Sequence, residues 1–508
     1  MRFLFFIVGI TLLASCSTTR KAGTKDDGRL TVTFVQINDV YEIAPLEGGK
    51  AGGVARVATL KKEEKQKNPN TVLLIAGDFV SPSVYNSLKY EGQRIRGRQM
   101  VESLNAAGMD LAVFGNHEFD ISENELQSRI NESQFQWISS NTFHKTKDGI
   151  RPFAKTTGGN TTPFPQTWYM DFSDADGTRA RIGFIGLNIP FNKAEYVYYT
   201  NVLHTADSLF ANIKDSCDAV VAITHLEVEE DSILARRIPQ LALIMGGHEH
   251  DMRFKKVGNI YITKAHANAK SAYVNYLTID KKKKTTFVEP KLVMIDTGFA
   301  LDAATTQVVT KWVNIANENY ASLGFDATEV VLNQGEALEG REIFIRATTT
   351  NLTQYIVAAM EKAAPEADLA LLNSGSIRVD DVLPIPVTQY DIIRALPYGG
   401  FIQEVDMKGS LLNQILDVGK TNLSTGGFLQ YSSSLKYDNG VWKLKEEPIH
   451  PDKVYHVALS DFLMTGGEAN MGFLTKDNPG IVKMYAKPKE NDIRRDIRLA
   501  IIDYLKSL

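Results

Sequence analysis

The chain has 508 residues, which is too long for one hydrophobic core, so two or more domains are expected. Hydrophobic residues make up 44% of it and charged residues 23%, which is typical of a globular protein. A formal net charge of −4 argues against binding a nucleic-acid polymer by broad phosphate neutralisation. No protein partner is predicted.

The first residues have the pattern of an export signal. A short positive region precedes an apolar run over residues 3–13, which has about the length of a signal-peptide core and is too short to span a bilayer. The run ends in Leu13-Ala14-Ser15-Cys16, which resembles a bacterial lipobox. The alternative is a chance cysteine after an ordinary signal peptide. The pattern favours a lipoprotein signal over residues 1–16, lipidation of Cys16 and a polar tether over residues 17–29.

This N-terminus sets the expected location of the protein. A lipid on Cys16 would attach it to a membrane of the bacterial cell envelope, which makes that membrane an expected partner. Ser17, directly after the cysteine, favours the outer membrane, facing the periplasm or the cell surface.

Apolar strands alternate with helical or loop segments from residue 30 to about residue 300. The earlier strands are continuous runs of Val, Ile and Leu, as in strands buried on both faces, and the later ones alternate, as in antiparallel pairs. Strands are predicted over residues 32–37, 71–76, 110–114, 180–188, 219–224, 241–245, 259–264, 271–280 and 285–295, and helices over residues 54–66, 95–107 and 123–131. This order predicts a layered α/β sandwich whose active edge lies at the carboxyl ends of strands.

A second α/β domain is predicted to follow a connecting helix. Residues 302–320 have a helical spacing of apolar side chains. A helix and linker over residues 301–327 is therefore predicted to join a first domain, residues 30–300, to a second, residues 328–508. Within the second domain, helices are predicted over residues 351–362 and 408–418, and strands over residues 369–372, 402–406 and 454–460.

Five predicted strands of the first domain end in metal-ligand side chains. The ends are Asn38-Asp39-Val40-Tyr41, Ala76-Gly77-Asp78, Gly115-Asn116-His117-Glu118, Thr224-His225 and Gly246-Gly247-His248-Glu249-His250. Mixed nitrogen and oxygen ligands suit Zn, Mn, Fe or Co, and a carboxylate can bridge two ions about 3.5–4 Å apart. Alone, a Gly-Asp is commonly a turn or helix cap, and a His-x-His can be a surface feature. Five such ends in order favour a dinuclear metal site.

The order of these motifs resembles that of the calcineurin-like metallophosphoesterases, and the chain looks like their bacterial 5′-nucleotidase branch. The resemblance implies a four-layer α/β-β/α sandwich followed by an α/β substrate domain. It implies two divalent ions (Zn, Mn, Mg, Fe or Co), one held by Asp39 and His250, the other by Asn116, His225 and His248, with Asp78 bridging them. It also implies that His117, paired with Asp120, is the catalytic side chain, and Glu118 is left a structural role.

One position departs from the family pattern. The family usually has a histidine two residues after the first aspartate, where this chain has Tyr41. A phenol is neutral near pH 7, with an unperturbed pKa of about 10, so a trivalent or strongly Lewis-acidic ion would be needed to bind it as phenolate. Two possibilities stay open: Tyr41 is a ligand, or the first ion keeps only Asp39, Asp78, His250 and water.

The second domain carries further motifs of the same family. They are Leu372-Asn373-Ser374-Gly375-Ser376-Ile377-Arg378, Leu396-Pro397-Tyr398-Gly399, and the segment from Asp461-Phe462 to Gly466-Gly467-Glu468. The resemblance implies that Tyr398 and Phe462 stack on the nucleobase, Arg346 and Arg378 bind the charged end of the nucleotide, Glu468 meets the ribose, and Asn373 lies near the base. Such stacking is worth about 1–3 kcal/mol per base. Without the motifs, core packing would account for both aromatic rings.

These motifs predict hydrolysis of nucleotide phosphate monoesters, with a hydroxide supplied by the two ions and the nucleoside held by the second domain. Glu468 stands where the family has aspartate, and no acidic residue follows Arg346. The same fold acting on 2′,3′-cyclic nucleotides or UDP-sugars is therefore an alternative. An alternative of another class is a non-catalytic, lipid-anchored nucleotide-binding protein, which only Tyr41 favours.

Overall fold

The structure is a computed structural model that describes residues 26–191 and 194–508. The predicted signal peptide, Cys16, and residues 17–25 of the predicted tether lie outside the described residues. Among the residues that are described, no helix has the length and apolar character needed to cross a membrane.

Six of the eleven α-helices of the described residues match predicted ones, and the other five, at residues 202–213, 228–237, 342–345, 389–395 and 497–506, were not predicted. The eleven helices are α1 (Val54–Lys67), α2 (Arg98–Ala106), α3 (Glu123–Glu132), α4 (Val202–Ile213), α5 (Val228–Arg237), α6 (Ala303–Ser322), α7 (Glu342–Ile345), α8 (Asn351–Ala363), α9 (Gln389–Ala395), α10 (Gly409–Thr421) and α11 (Ile497–Lys506). Short 3₁₀ turns include His117–Asp120 and Asp461–Met464.

The first domain contains two six-stranded sheets. Its strands are β1 (Arg29–Ile37), β2 (Thr71–Ala76), β3 (Lys89–Tyr90), β4 (Gln93–Arg94), β5 (Leu111–Val113), β6 (Gln136–Ile138), β7 (Thr142–Thr146), β8 (Gly149–Arg151), β9 (Ala154–Thr157), β10 (Asn160–Pro163), β11 (Thr167–Ser173), β12 (Arg179–Asn188), β13 (Val197–Tyr199), β14 (Ala219–His225), β15 (Leu243–Gly247), β16 (Arg253–Val257), β17 (Ile260–Lys264), β18 (Ser271–Asp280) and β19 (Thr285–Met294). The first sheet has the order β19-β18-β1-β2-β5-β6, and the second has the order β11-β12-β14-β15-β17-β16.

The two sheets pack face to face and are covered by helices on both outer sides. Phe34 of β1 meets Phe184 of β12 edge to face, with ring centroids 5.9 Å apart, within a buried cluster that both sheets share. The helices α1, α2 and α3 cover the first sheet, and α4 and α5 cover the second. Apolar side chains on both faces of the central strands require this arrangement, because each face must be buried. The predicted four-layer α/β-β/α sandwich is confirmed.

The second domain is built on one mixed five-stranded sheet. Its strands are β20 (Val330–Leu332), β21 (Leu338–Glu339), β22 (Leu369–Asn373), β23 (Val382–Leu383), β24 (Val387–Thr388), β25 (Ile402–Lys408), β26 (Leu429–Tyr431), β27 (Leu435–Asp438), β28 (Val441–Leu444), β29 (Glu447–Pro448), β30 (Val454–Ser460) and β31 (Ile481–Met484). The sheet order is β26-β22-β30-β25-β31, with α8 packed against one face and α10 against the other. The predicted second α/β domain is confirmed.

The connecting helix α6 packs on the first domain. Trp312 is fully buried, and its indole N–H donates to Glu102 of α2 over 2.9 Å. The two domains share a buried apolar cluster, in which Tyr320 of α6 meets Tyr390 of α9 with ring centroids 6.4 Å apart. They also meet through polar contacts: the Tyr390 hydroxyl donates to Glu42, and Lys270 pairs with Asp381 over 2.6 Å.

Candidate active site

The predicted metal ligands lie at the carboxyl ends of adjacent strands. Asp39, Asp78 and Asn116 follow β1, β2 and β5, which are neighbours in the first sheet; His225 ends β14, and His248 and His250 follow its neighbour β15. Because parallel neighbours end at the same edge and the sheets face each other, these side chains converge at one end of the sandwich. Asp39, Asp78 and His225 each have a ligand atom within 4.8 Å of the other two.

The first predicted ligand set consists of Asp39, Asp78 and His250, and Tyr41 lies beside them. The His250 Nε2 atom lies 3.8 Å from Asp39 Oδ1 and 2.8 Å from the Tyr41 hydroxyl. That hydroxyl is also 3.4 Å from Asp78 Oδ2. The phenol thus stands among the carboxylate and imidazole ligands, and a ring-to-ring contact of 5.3 Å with His250 holds it there.

The second predicted ligand set consists of Asp78, Asn116, His225 and His248. The His225 Nε2 atom is 3.1 Å from Asp78 Oδ2, while its Nδ1–H donates to the Ala76 carbonyl over 2.8 Å. That bond leaves the lone pair of a neutral imidazole on Nε2, aimed into the cluster. The rings of His225 and His248 are 5.2 Å apart. Asp78 Oδ2 faces both sets, which suits a bridging carboxylate.

Three atoms of the predicted ligands are buried and have no hydrogen-bond partner among the described residues: Asp39 Oδ1, Asn116 Oδ1 and His225 Nε2. A buried polar atom without a partner is costly, and native proteins rarely leave one without a reason. Oxygen and imidazole nitrogen atoms that converge unpaired are the ligands of a divalent cation. The residues present therefore fit the two-metal site that the sequence predicts.

The backbone around the ligands is held in an uncommon conformation. Asp39, Asp78 and His248 have φ angles of 52°, 55° and 96°, in the left-handed region that non-glycine residues seldom adopt. Glycine is needed beside them, since a Cβ at Gly115 would lie 2.1 Å from Asp78 Oδ1 and a Cβ at Gly77 would lie 2.6 Å from His225 Nδ1. Strained residues concentrate where function requires a fixed geometry.

His117 lies beside the ligand sets and is held by two carboxylates. Its Nδ1–H donates to Asp120 Oδ2 over 2.7 Å, and its backbone N–H donates to Asp78 Oδ1 over 2.8 Å. The short turn from His117 to Asp120 places both side chains on one side of the chain. His117 therefore has a fixed ring orientation, with its Nδ1–H bonded to Asp120.

Glu118 serves the backbone rather than the chemistry. Its buried carboxylate accepts hydrogen bonds from the amides of Asp78, Phe79, Val80 and Gly115, over 2.9, 2.7, 3.0 and 2.6 Å. These bonds tie the loop after β2 to the loop after β5, so that Glu118 holds two ligand-bearing loops together.

The electrostatics of the site favour positive charge. Burial alone would lower the pKa of His225, but Asp78 and Asp39 outweigh it and raise that pKa to about 9. Burial alone would also lower the pKa of His117, but Asp78 and Asp120 outweigh it and raise that pKa. Burial, then Asp78 and Asp39, raise the pKa of Tyr41 well above its ordinary value, so that only a cation beside it would hold the phenolate form.

The two arginines named by the motifs lie together in the second domain. Arg346 pairs with Glu342, and Arg378 Nη1 is 3.8 Å from the same carboxylate. The Nε atoms of both arginines are buried and have no hydrogen-bond partner among the described residues. Two guanidinium groups sharing one carboxylate keep an excess of positive charge, which suits an anionic ligand.

Tyr398 and Phe462 are exposed, 66% and 43% of their surfaces being accessible to solvent. They lie on adjacent loops, since the Asp461 amide donates to the Phe401 carbonyl over 3.1 Å. Core packing therefore does not account for them. Two exposed aromatic rings on neighbouring loops can hold a flat, apolar group between them.

Asn373 and Glu468 are brought into contact with each other. The buried Asn373 amide donates to Glu468 Oε2 over 2.7 Å, and its oxygen accepts from the Ser376 hydroxyl over 2.7 Å. The pair lies at the end of β22, next to the loop that carries Phe462. Their hydrogen-bonding groups are thus fixed by each other.

Two side chains that support the site were not singled out from the sequence. Asp380, two residues after Arg378, accepts a hydrogen bond from His250 Nδ1. Lys264, at the end of β17, is 1% exposed and donates to the Gly247 carbonyl over 2.9 Å. The sequence does give a signal for Lys264, which is a lysine at the end of an apolar strand. It gives none for Asp380, whose role depends on the fold.

Comparisons with known proteins agree with this geometry. Residues 32–252 match the family model for calcineurin-like phosphoesterases, and residues 332–475 match the model for the C-terminal domain of 5′-nucleotidases. Together the two matches account for most of the chain. It belongs to the 5′-nucleotidase family of calcineurin-like metallophosphoesterases.

Similar proteins cover nearly the same length. The chain is 24% identical to the 5′-nucleotidase of Bos taurus in an alignment 475 positions long, which covers 82% of this chain and 78% of that protein. It is 25% identical to protein UshA of Escherichia coli in an alignment 499 positions long, which covers 86% of this chain and 84% of that protein. A crystal structure of a 5′-nucleotidase precursor from Thermus thermophilus superposes with a TM-score of 0.68 at 21% identity, over 94% of this chain and 96% of that one. At that identity the superposition shows the shared fold.

Proposed function

We propose that the protein hydrolyses phosphate monoesters of nucleotides, as a 5′-nucleotidase does. The observation that carries the proposal is the convergence of two ligand sets with unpaired buried atoms next to His117, opposite a domain with two unpaired arginine Nε atoms. Two divalent ions, once bound, would act as Lewis acids on the phosphoryl oxygens and supply an activated water near neutral pH. The ligand chemistry accommodates Zn, Mn, Mg, Fe or Co.

His117 is proposed as the side chain that stabilises the negative charge developing on the phosphoryl group or the leaving oxygen. Its ring is fixed by the hydrogen bond to Asp120, and its pKa is raised by Asp78 and Asp120 against the effect of burial. A positioned imidazolium can stabilise an anionic oxygen or give a proton to the leaving oxygen. Asp120 positions His117 and keeps its proton on Nδ1.

The second domain is proposed to bind the nucleoside and the charged end of the nucleotide. Arg346 and Arg378 offer planar donor groups to phosphate oxygens. The exposure of Tyr398 and Phe462 supports stacking on the base. Glu468 would accept the ribose hydroxyls beside Asn373.

The catalytic proposal is tested by phosphate release from adenosine 5′-monophosphate with added Mn²⁺ or Zn²⁺. We expect His117→Ala to lower kcat by about 10²- to 10⁴-fold, which is the usual contribution of a positioned acid or base. His204, an exposed histidine at the start of α4, gives the matched control His204→Ala. Equal rates for wild type and His117→Ala would refute the role of His117, and absence of metal-dependent phosphate release from wild type would refute catalysis and favour the non-catalytic, nucleotide-binding alternative.

The substrate class is tested by assaying adenosine 5′-monophosphate, a 2′,3′-cyclic nucleotide and a UDP-sugar side by side. Glu468, one methylene longer than the aspartate of the family, is the feature that keeps the second and third substrates in view. We expect the monoester to be the best substrate. A higher kcat/KM for either other compound would redirect the assignment.

We further propose that the protein is anchored to a membrane of the bacterial cell envelope by lipid on Cys16. The lipobox-like sequence before Cys16 supports this proposal. Metabolic labelling with a radioactive fatty acid, followed by membrane fractionation, should label wild type and not Cys16→Ser. Labelling of both, or of neither, would refute the anchor.

A further inference from the structure

A carboxylate of the second domain contacts a ligand of the metal centre in the first. The Nδ1–H of His250 donates to Asp380 Oδ2, and both side chains are 21% exposed. The two residues are 130 positions apart in the chain. The first ligand set is therefore touched from both domains.

This contact fixes the form of the imidazole that a metal ion requires. With its proton on Nδ1 and held by Asp380, a neutral His250 carries its lone pair on Nε2. The Nε2 atom faces Asp39 Oδ1 and the Tyr41 hydroxyl. A carboxylate behind a histidine ligand orients the ring and raises its basicity as a ligand.

Asp380 is built into the second domain in a way that aims it. Its other oxygen, Oδ1, accepts a hydrogen bond from the Glu342 amide at the start of α7, over 2.6 Å. Its φ angle is 37°, in the left-handed region, which aspartate tolerates better than most residues do. A strained residue with both carboxylate oxygens bonded is held by its surroundings.

The same loop carries a residue that is proposed to bind the substrate. Arg378 precedes Asp380 by two residues and shares Glu342 with Arg346. One loop thus presents a guanidinium to the space between the domains and a carboxylate to the metal centre.

We propose that Asp380 is a positioning residue for the first metal ion, so that the second domain completes the first ligand set. The inference rests on the proposed function. It makes metal binding and the approach of the second domain mutually dependent: an ion held by His250 favours the position in which Asp380 meets it, and that position strengthens the hold on the ion.

The test is the affinity of purified protein for Zn²⁺ alone, measured by competition with a chromogenic chelator and by counting ions per chain after dialysis. Asp380→Asn is the informative variant, because asparagine keeps the shape and tolerates a positive φ while losing the charge. We expect the affinity for one of the two ions to fall by about 10- to 100-fold, as for other carboxylates behind ligand histidines, and the affinity for the other ion to be unchanged.

Asp381→Asn is the matched control. Asp381 also lies between the domains, but it pairs with Lys270 over 2.6 Å and with Arg394 over 3.6 Å instead of with a metal ligand. Equal losses in the two variants would overturn the proposal, because the effect would then belong to domain contact in general. Unchanged affinity in Asp380→Asn would also overturn it. Should that variant fail to fold, Asp380→Glu replaces it: a loss of one ion supports the proposal, and wild-type affinity overturns it.

The outcome is separable from that of the proposed function. If wild type binds two ions and releases phosphate, the proposed function stands whatever Asp380→Asn does. If wild type binds no ion, the proposed function itself fails.

Discussion

The two ligand sets differ in what lies behind them. The second set is supported from within the first domain: His225 is fully buried and bonded to the Ala76 carbonyl, and Lys264 holds the Leu226 and Gly247 carbonyls next to its two histidines. In the first set a phenol, Tyr41, lies where the family has an imidazole, and His250, which is about as exposed as His248, is held by a carboxylate of the other domain.

We call the second set the firm half of the predicted metal centre, because its supports lie within the first domain. We call the first set the adjustable half, because its histidine is held by the second domain. Ligand side chains that are already fixed lose little conformational entropy when an ion binds. Ligand side chains that are positioned by the second domain lose more, because the two domains must also be held together. We therefore expect the ion of the second set to be the more tightly held. Substitutions in the two sets should have unequal effects, and the greatest is expected at the residue that both sets share.

Asp78→Ala should abolish metal binding at both sets, and with it the difference in affinity between them. Asp78 Oδ2 lies 3.1 Å from His225 Nε2 and 3.4 Å from the Tyr41 hydroxyl, so it belongs to both sets. We expect both ions to be lost and phosphate release to fall to background, measured by metal analysis and by the phosphate assay. Asp171→Ala, on the exposed strand β11, is the control. Retention of one ion at wild-type affinity would assign Asp78 to a single set.

Lys264→Met should lower the free energy of unfolding by breaking the buried ion pairs next to the second set. Lys264 is buried between Asp231 and Glu249, at 2.9 and 2.6 Å, and its loss would leave two carboxylates without their cation. Breaking a buried ion pair costs about 3–5 kcal/mol of unfolding free energy. Denaturant unfolding in the presence of a chelator measures it.

The control for that variant is Lys255→Met, which removes a pair with Glu229 at the surface, and we expect it to leave the unfolding midpoint unchanged. A loss below about 1 kcal/mol in Lys264→Met, typical of exposed pairs, would show that the buried cluster is not what stabilises the second set.

The firm half of the centre was predictable from the sequence for a physical reason. Its ligands follow continuous apolar runs such as β2 and β14, whose burial on both faces fixes where they end. Since parallel strands end at one edge, residues as distant in the chain as Asp78 and His225 are expected at one site from their positions at strand ends alone. The support behind them was partly predictable too, because Lys264 interrupts an apolar pattern.

The adjustable half was less predictable, because it depends on a contact that no local pattern records. Asp380 lies in an irregular segment and reaches His250 only through the relative position of the two domains. The strands between residues 142 and 173 were missed for a different reason. They are short and mostly exposed, as in β10, so that they show neither a continuous apolar run nor a clean alternation.

Tyr41→His should reduce the difference between the two sets. An imidazole at this position restores a neutral nitrogen ligand among Asp39, Asp78 and His250. We expect the affinity for the weaker ion to rise by about tenfold, equivalent to about 1.4 kcal/mol. Tyr41→Phe, which removes only the hydroxyl, should lower that affinity if the phenol is a ligand. Zn²⁺ titrations of the three proteins decide it, and identical affinities would mean that the phenol lies beside the ion without binding it.

Glu227→Gln should have the smallest effect, and it is the closest counterpart to Asp380→Asn. Glu227 Oε1 lies 3.2 Å from His248 Nε2, as Asp380 lies against His250, but its side chain is 55% exposed. Exposed charge pairs are worth about 0–1 kcal/mol, so the affinity for the second ion should fall by at most about fivefold. Glu229→Gln, two residues further along the same helix, is the control, and the measurement is the same Zn²⁺ competition. A loss as large as that of Asp380→Asn would mean that both histidines depend equally on a carboxylate behind them, and the second set would then be no firmer than the first.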